Sequence, residues 1–288
     1  MIPWAIRERL RYCEIESERL TLARFPDFLI IGPQRTGTTW LHQILARHPE
    51  VFLAEPKELF FFSRLKRRDD PRFESALLDW YLDHFRDPWP RWVARQARSL
   101  ISYRRAYRPR IRGEATASYA AMDGDLIEEI ALLRPDVKAL MMMRDPVERA
   151  WSHAKKDLAR NRGRDASEVS EQEWQSFFRD PYQLQCARYE ENLSRWRACL
   201  RPGNVFVGTF EEVQERPAEL LRRVTRFLGV SDDPRFAREE LLRRTVNPTG
   251  HSEVPVHFRR YLEDLFAREI EGWKRILGSR REAAEETP

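Results

Sequence analysis

Residues 32–39 read GPQRTGTT; they follow the apolar run DFLII and lead into WLHQILARH. The two glycines have the spacing of a phosphate-binding loop, G-x-x-x-x-G-K-[ST], but Thr38 occupies the lysine position. A strand, a glycine turn and a helix N-terminus together form an anion site, because backbone N–H groups converge there. Arg35 is the only charged side chain of the loop. The pattern favours a terminal phosphate with a neighbouring anionic group over a magnesium triphosphate; a purely structural turn is the alternative.

Five apolar segments extend the pattern on both sides of this loop. Predicted strands lie at 27–32, 51–54, 110–116, 137–143 and 204–210. Most are continuous apolar runs, which is typical of strands buried on both faces of a parallel sheet. Helical patterns separate them, and several end at proline or glycine. The sequence therefore predicts an α/β fold, a P-loop-like doubly wound sheet of about five mostly parallel strands flanked by helices.

The chain shows no internal repeat and no long linker, so we expect a single domain over residues 1–278. Residues 1–24 predict a short amphipathic N-terminal helix, and the polar tail 279–288 is expected to be disordered. Residues 80–109 form a helical insertion with an apolar face opposite an arginine-rich face. Packing on the domain, a lid over an acidic acceptor, and contact with a membrane surface all fit that pattern.

Composition excludes several classes of protein. No stretch approaches the roughly 18 apolar residues of a membrane span, and the N-terminus has no signal-peptide core, so we expect a cytoplasmic protein. Cys13, Cys186 and Cys199 are far apart, which argues against a zinc site or a disulfide framework, and no metal is expected. The net charge of +5 is small and no recognised motif for nucleic acid is present, so nucleic-acid binding is not expected.

A second group of polar residues lies in ALMMMRDPVERAWSHAKKD, residues 139–157. Arg144 closes a buried strand, Asp145 turns the chain, and Ser152 lies about two turns into the next helix. An arginine and a hydroxyl in this arrangement suit a second phosphate, although Arg144 alone also fits a sheet-edge ion pair. Two phosphate sites on one sheet indicate a nucleotide phosphorylated at both ends of its ribose.

The pair GPQRTGTTWL and RDPVERAWSH resembles the two phosphate-binding signatures of sulfotransferases that use 3′-phosphoadenosine 5′-phosphosulfate (PAPS). The resemblance extends from about residue 27 to residue 230. The subtype it resembles is the heparan-sulfate sulfotransferase-like group with its bacterial relatives. Three further segments carry that likeness: KELFFF (57–62), GEATASY (113–119) and YEENLSRW (189–196).

The resemblance implies a role for each matching position. The 5′-phosphosulfate would be bound by Arg35, Thr36, Gly37, Thr38 and Thr39, and Trp40 would also belong to the cofactor-binding residues. The 3′-phosphate would be bound by Arg144 and Ser152, with Tyr189 and Arg188 nearby. Glu58 would be the general base that deprotonates the acceptor, and Arg35 would stabilise the leaving phosphate. The acceptor cleft would be lined by Lys57, Glu114, Thr116 and Tyr119.

The chain departs from the family pattern in ways that bear on the acceptor. Heparan-type members often have lysine where Ala115 stands and histidine where Phe60 stands. The disulfide-bounded basic loop of animal members is missing; His251, Ser252 or Arg259 would close over the nucleotide instead. We expect transfer to a hydroxyl or amine of a small-molecule, lipid or glycan acceptor. A P-loop kinase or NTPase, and a non-catalytic nucleotide-binding protein, are the alternatives.

Overall fold

A parallel β-sheet forms the centre of the computed structural model, which describes residues 1–237, 242 and 253–285. The strands are β1 (Phe28–Ile31), β2 (Val51–Leu53), β3 (Ile111–Ala115), β4 (Lys138–Met143) and β5 (Val205–Thr209). Within the described residues their order is β2-β3-β1-β4-β5, and every neighbouring pair is parallel. The five predicted strands are confirmed, and the sheet is wholly parallel.

Helices connect the strands and cover both faces of the sheet. The α-helices of the described residues are, in chain order, α1 (Trp4–Arg7), α2 (Thr38–Leu45), α3 (Phe61–Arg64), α4 (Leu78–Asp83), α5 (Trp89–Tyr103), α6 (Gly124–Leu133), α7 (Pro146–Ala154), α8 (Glu171–Arg179), α9 (Pro181–Ala187), α10 (Tyr189–Cys199), α11 (Phe210–Glu215), α12 (Pro217–Leu228), α13 (Val256–Leu265) and α14 (Ala267–Glu285). A π-helical turn continues α7 over Lys155–Ala159.

The central strands are buried on both faces, which accounts for their continuous apolar sequence. Leu29 and Ile31 of β1 belong to one core cluster with residues of α6 and α10. Phe28 and Ile30 belong to a second cluster, on the other face, with residues of α2 and α12. Successive side chains of a strand point to opposite faces, so each face needs its own apolar set. The predicted doubly wound α/β fold is confirmed.

A third, aromatic cluster fixes helix α7 beside the sheet. The Trp151 ring lies 4.7 Å from that of Trp174 and 5.4 Å from that of Phe258, measured between ring centroids. The helix begins at Pro146, and the Asp145 side chain caps it by accepting a hydrogen bond from the Glu148 N–H. Helices α8 and α13 thereby hold the helix that carries Ser152.

The N-terminal segment differs from the prediction of a single amphipathic helix over residues 1–24. Helix α1 is one turn, and a 3₁₀ turn lies at Leu22–Arg24. Between them the backbone N–H groups of Tyr12 and Cys13 donate to the Glu129 carboxylate, Cys13 at 2.6 Å. These donors are bonded to a carboxylate more than 100 residues away in the chain, so they are not available for helix hydrogen bonds.

The tail also differs from expectation, and the insertion exposes one of its faces. Helix α5 does not pack on the domain through its apolar face: Leu100 is 48% exposed and Ile101 83% exposed. Helix α14 continues to Glu285, so residues 279–285 of the tail that we expected to be disordered are helical. Residues 286–288 lie outside the described residues.

Candidate functional site

Three adjacent strands end at the same edge of the sheet and carry the polar residues found in the sequence. The loop from Gly32 follows β1, Thr116 follows β3, and Arg144 follows β4. Strand β1 lies between β3 and β4, with Ile30 opposite Ala115 and Leu140. Ligands of open parallel sheets bind outside the carboxyl ends of the strands. This edge is therefore the candidate site.

The glycine loop is held close to β4. A Cβ atom added at Gly32 would lie 2.7 Å from the carbonyl oxygen of Met142, so no larger residue fits without a shift of backbone. Gly37 has φ +95° and is the N-cap of α2, so no side chain occupies the position in front of the helix. Inside the loop, the Thr36 hydroxyl donates to the Pro33 carbonyl at 2.8 Å. The free backbone N–H groups at the start of α2 therefore face the turn that the loop forms.

Arg35, Ser152 and Arg144, which the sequence assigns to two separate phosphate sites, lie in contact with one another at this loop. The Arg35 Nε donates to the Ser152 hydroxyl at 2.9 Å. The Arg144 guanidinium contacts the Arg35 carbonyl oxygen at 3.5 Å and lies over the Phe210 ring, 4.4 Å from its centroid. Arg35 itself has φ +74°, a left-handed conformation that costs energy in a non-glycine residue. The Arg35 side chain thus joins the loop to α7 through Ser152.

Lys155 and Arg160, on the turns that follow α7, add positive charge to the same place. Burial lowers the pKa of Arg35, and the charges of Arg144 and Arg160 lower it further. Burial likewise lowers the pKa of Lys155, with added repulsion from Arg35 and Arg144. Arg35 therefore lies within range of three other cations, and Asp157 offsets part of their effect on its pKa. The sequence motifs do not single out Lys155 or Arg160, although both follow Ser152 in one continuous helical run.

Acidic residues offset part of this charge. Glu148 of α7 lies 3.5 Å from Arg144 and accepts a hydrogen bond of 2.7 Å from Arg259 on α13. Arg259, which we expected to close over the nucleotide, is thus linked to the site through Glu148. His251 and Ser252, the other two residues of that expectation, lie outside the described residues.

The remaining residues expected at the donor site lie at different depths. The Tyr189 hydroxyl is buried and donates to the Arg144 carbonyl at 2.9 Å, so it supports the backbone of the site. Arg188 is exposed and lies 3.8 Å from Glu191. Trp40 belongs to α2, and its side chain is buried in the core, where the indole N–H donates to the Leu242 carbonyl at 2.9 Å. Thr38 is buried and Thr39 half-buried at the start of α2.

Glu58 is held at the end of β3 by its backbone and by its carboxylate. Its N–H donates to the Ala115 carbonyl at 2.8 Å, and its Oε2 accepts a hydrogen bond of 2.9 Å from the Ala117 N–H. Its Oε1 pairs with the Lys57 ammonium. The side chain is 25% exposed, and the residue has φ +67°. A carboxylate fixed in this way, with part of its surface open, can accept a proton from a bound hydroxyl or amine.

Glu114 lies beneath Glu58 and not on an open cleft. It is buried and accepts hydrogen bonds from the Tyr81 hydroxyl at 2.5 Å and the Thr116 hydroxyl at 3.1 Å. Burial raises the pKa of Glu114 to about 7; its hydrogen bonds oppose that shift, and the charge of Glu58 adds to it. The Tyr119 hydroxyl is also buried and accepts a hydrogen bond from the Phe62 N–H. Of the four residues expected to line the acceptor cleft, only Lys57 is partly exposed.

The described residues contain neither a cluster of metal-ligating side chains nor a membrane-spanning helix. Among them, no group of three or more His, Cys, Asp or Glu side chains is placed to hold a metal ion. None of the helices in the described part of the chain is long and apolar enough to cross a bilayer.

Comparison with known proteins identifies the family. Residues 26–234 match the model of the "Sulfotransferase family". Bifunctional heparan sulfate N-deacetylase/N-sulfotransferase 2 of Bos taurus is 26% identical over 217 residues, 72% of this chain and 22% of that protein. The chain spans less than a quarter of the length of the curated relatives it matches.

Solved structures show the same fold. A sulfotransferase from Alicyclobacillus acidocaldarius has a TM-score of 0.57 and 25% identity, with 86% of this chain and 95% of that chain covered. The sulfotransferase domain of the Synechococcus PCC 7002 olefin synthase has a TM-score of 0.50 and 17% identity, with 84% and 94% covered.

Proposed function

This chain belongs to the sulfotransferase family, and on that premise we propose that it moves the sulfuryl group of PAPS to a hydroxyl or amine of a small-molecule, lipid or glycan acceptor. The observation that carries the proposal is the meeting of Arg35, Ser152 and Arg144 at the end of the sheet. Arg35 comes from the glycine loop and Arg144 from the end of β4, and the two are more than 100 residues apart in the chain. A donor with phosphates at two ends of its ribose needs two such anchoring points.

The donor would be held by the loop and by the cations around it. The 5′-phosphosulfate would lie on the backbone N–H groups of residues 35–39, at the N-terminus of α2, with Arg35 as its charged partner. Arg144 and Ser152 would hold the 3′-phosphate, since a guanidinium binds phosphate through two parallel hydrogen bonds. We add Lys155 and Arg160 to this set, because their charges already bear on Arg35.

The transfer would proceed in line, with the acceptor and the leaving phosphate on opposite sides of the sulfur. A bond forms between the acceptor oxygen or nitrogen and sulfur while the bond from sulfur to the bridging phosphate oxygen breaks. The acceptor proton passes to the Glu58 carboxylate, and negative charge builds on the departing 5′-phosphate. Arg35 and the loop N–H groups would stabilise that charge. We assign Arg35 no proton transfer, because a guanidinium stays protonated.

The hydrogen bond from the Ala117 N–H gives Glu58 its place in this scheme. It holds one carboxylate oxygen of Glu58 2.9 Å from the Ala117 nitrogen. The end of β3 thereby sets the orientation of the carboxylate. General-base catalysis by a positioned carboxylate contributes about 10²–10⁴-fold. The Glu114 network supports the loop from below: its hydrogen bonds from Tyr81 and Thr116 tie the end of β3 to α4.

The acceptor is proposed at the level of its reacting group. The relatives' names refer to heparan sulfate, but this chain has Ala115 and Phe60 where heparan-type members often carry lysine and histidine. These apolar substitutions reduce the polar contacts available to a polysaccharide. We therefore retain small molecules, lipids and glycans as acceptor classes.

The experiment that tests the donor assignment is calorimetric titration with 3′-phosphoadenosine 5′-phosphate (PAP), AMP and Mg·ATP. We expect micromolar binding of PAP without magnesium and at least about tenfold weaker binding of AMP, a difference of about 1.4 kcal/mol. Equal affinities for PAP and AMP would contradict the second phosphate site. Preference for Mg·ATP would contradict the donor and would remove the basis for Glu58 as the base.

A further inference from the structure

Helix α5 presents an apolar face to solvent. We call this surface the α5 apolar face; it consists of Trp89, Val93, Ala97, Leu100 and Ile101, which recur at helical spacing. Trp89 is 74% exposed and Ile101 83% exposed, and Trp92 at the margin is 38% exposed. Isolated exposed apolar residues are common, but a contiguous row along four turns of one helix indicates an interaction surface.

The opposite side of α5 is fixed to the domain, so this exposure is set by the fold. Arg95 donates to the Asp87 carboxylate at 2.5 Å and to Glu55 at 3.1 Å, and its guanidinium lies 4.8 Å from the centroid of the Phe52 ring. Ser99 is buried and its hydroxyl donates to the Arg105 carbonyl at 2.7 Å. These polar contacts orient the helix with its apolar face away from the core.

Positive charge borders the apolar face. Residues 88–110 contain seven arginines and no acidic residue. Arg91, Arg95, Arg105 and Arg110 pair with three carboxylates, those of Asp87, Glu55 and Glu50, so seven arginines face three acidic groups and an excess of positive charge remains. Burial lowers the pKa of Arg98, and the nearby charges of Arg47 and Arg95 lower it further. The surface therefore combines large apolar side chains with an excess of cations.

We propose that α5 docks on the surface of an anionic phospholipid bilayer, with its axis in the plane of the interface. A helix with tryptophan and aliphatic residues on one face and arginines beside them inserts its apolar side at the level of the headgroups. Each cation near an anionic surface adds attraction. Its 15 residues measure about 22 Å, too short to span the hydrocarbon core.

A lipid surface explains the exposed apolar face and the excess of cations together, and it does so better than other occupants. A second copy of the chain would place arginine-rich margins against each other in a two-fold contact, and like charges oppose that arrangement. The docking helix also adjoins the loop of the proposed base, since Arg91 and Arg95 pair with Glu55, three residues before Glu58. Docking is nevertheless independent of the proposed reaction and can be tested without an acceptor.

The test is sedimentation of the full chain with large vesicles of phosphatidylcholine and phosphatidylglycerol at a 3:1 ratio, against vesicles of phosphatidylcholine alone. We expect binding to the anionic vesicles that weakens at least about tenfold without the anionic lipid. The variant Leu100→Gln/Ile101→Gln should lower the partition coefficient at least about tenfold. Because both side chains are exposed, its melting temperature should match the parent's.

The matched control is Trp4→Gln/Val256→Gln, which removes two exposed apolar side chains outside α5. It should bind anionic vesicles as the parent does. Absence of vesicle binding by the parent, or an equal loss in the control, would overturn the proposal. A parent dimer in light scattering that the Leu100→Gln/Ile101→Gln variant converts to a monomer would also overturn it and assign the face to a second copy.

Discussion

Replacing Glu58 by glutamine should remove the proton acceptor while leaving the loop in place. Glutamine has nearly the same volume, and its carbonyl oxygen can still accept the hydrogen bond from the Ala117 N–H that holds Oε2 at 2.9 Å. The change therefore removes the carboxylate charge, its pair with Lys57 and its basicity. We expect kcat to fall about 10²–10⁴-fold, equivalent to about 2.7–5.5 kcal/mol of transition-state stabilisation.

Donor affinity should change by no more than about threefold in the same variant. The backbone and carboxylate contacts of Glu58 are to the end of β3, whereas the donor would lie on the cations near Arg35. The assay measures sulfuryl transfer from PAPS to the best acceptor of a panel of phenols, aliphatic alcohols, amines and oligosaccharides, with PAP affinity measured by calorimetry. The two readouts separate loss of the base from loss of the donor site.

Glu55→Gln is the matched control, because it lies in the same loop and its exposed carboxylate pairs with Arg91 and Arg95. It should retain transfer within about threefold, as expected for exposed ion pairs. Transfer by Glu58→Gln at a near-parental rate would refute Glu58 as the base. An equal loss of transfer in both variants would show that charge in the loop, and not proton transfer, matters.

Three further predictions follow from other parts of the site. Arg144→Ala should reduce the preference for PAP over AMP at least about tenfold, measured by calorimetry, whereas Arg222→Ala, at an exposed position of α12, should keep it; an unchanged preference in the Arg144 variant contradicts the assignment of the 3′-phosphate. Because burial raises the pKa of Glu114 to about 7, the folded chain holds a proton that the unfolded chain releases above its ordinary pKa, so this group makes stability fall as pH rises from about 5 to 7. Glu114→Gln should reduce the difference between the free energies of unfolding at pH 5 and pH 8 by up to about 3 kcal/mol, measured by urea unfolding. An unchanged difference would refute the buried acid. Gly32→Ala should lower the free energy of unfolding by about 1–3 kcal/mol, because its Cβ meets the backbone of β4, whereas Gly124→Ala has open space and should cost less than about 0.5 kcal/mol; equal effects would contradict the close approach.

The sequence by itself determined the sheet and the position of the glycine loop that follows β1. All five strands were predicted, most of them from continuous apolar runs, because a strand buried on both faces leaves no room for alternation with polar residues. The spacing of Gly32 and Gly37 predicted the loop, since close backbone approach and a left-handed N-cap require glycine locally. Such features depend on residues that are neighbours in the chain, so a pattern of a few residues is enough to predict them.

Only the tertiary structure decided features that depend on residues distant in sequence. The Glu129 carboxylate accepts hydrogen bonds from backbone N–H groups that a helix over residues 1–24 would have used internally. Burial with Tyr81 turns Glu114 from an expected cleft residue into a raised-pKa acid beneath Glu58. The orientation of α5 is set by Arg95 binding Glu55 and Asp87, which leaves the apolar side exposed although periodicity alone fits packing on the core. In each case a partner outside the local pattern, Glu129, Tyr81 or Glu55, decides the outcome, and the neighbouring residues contain no information about it.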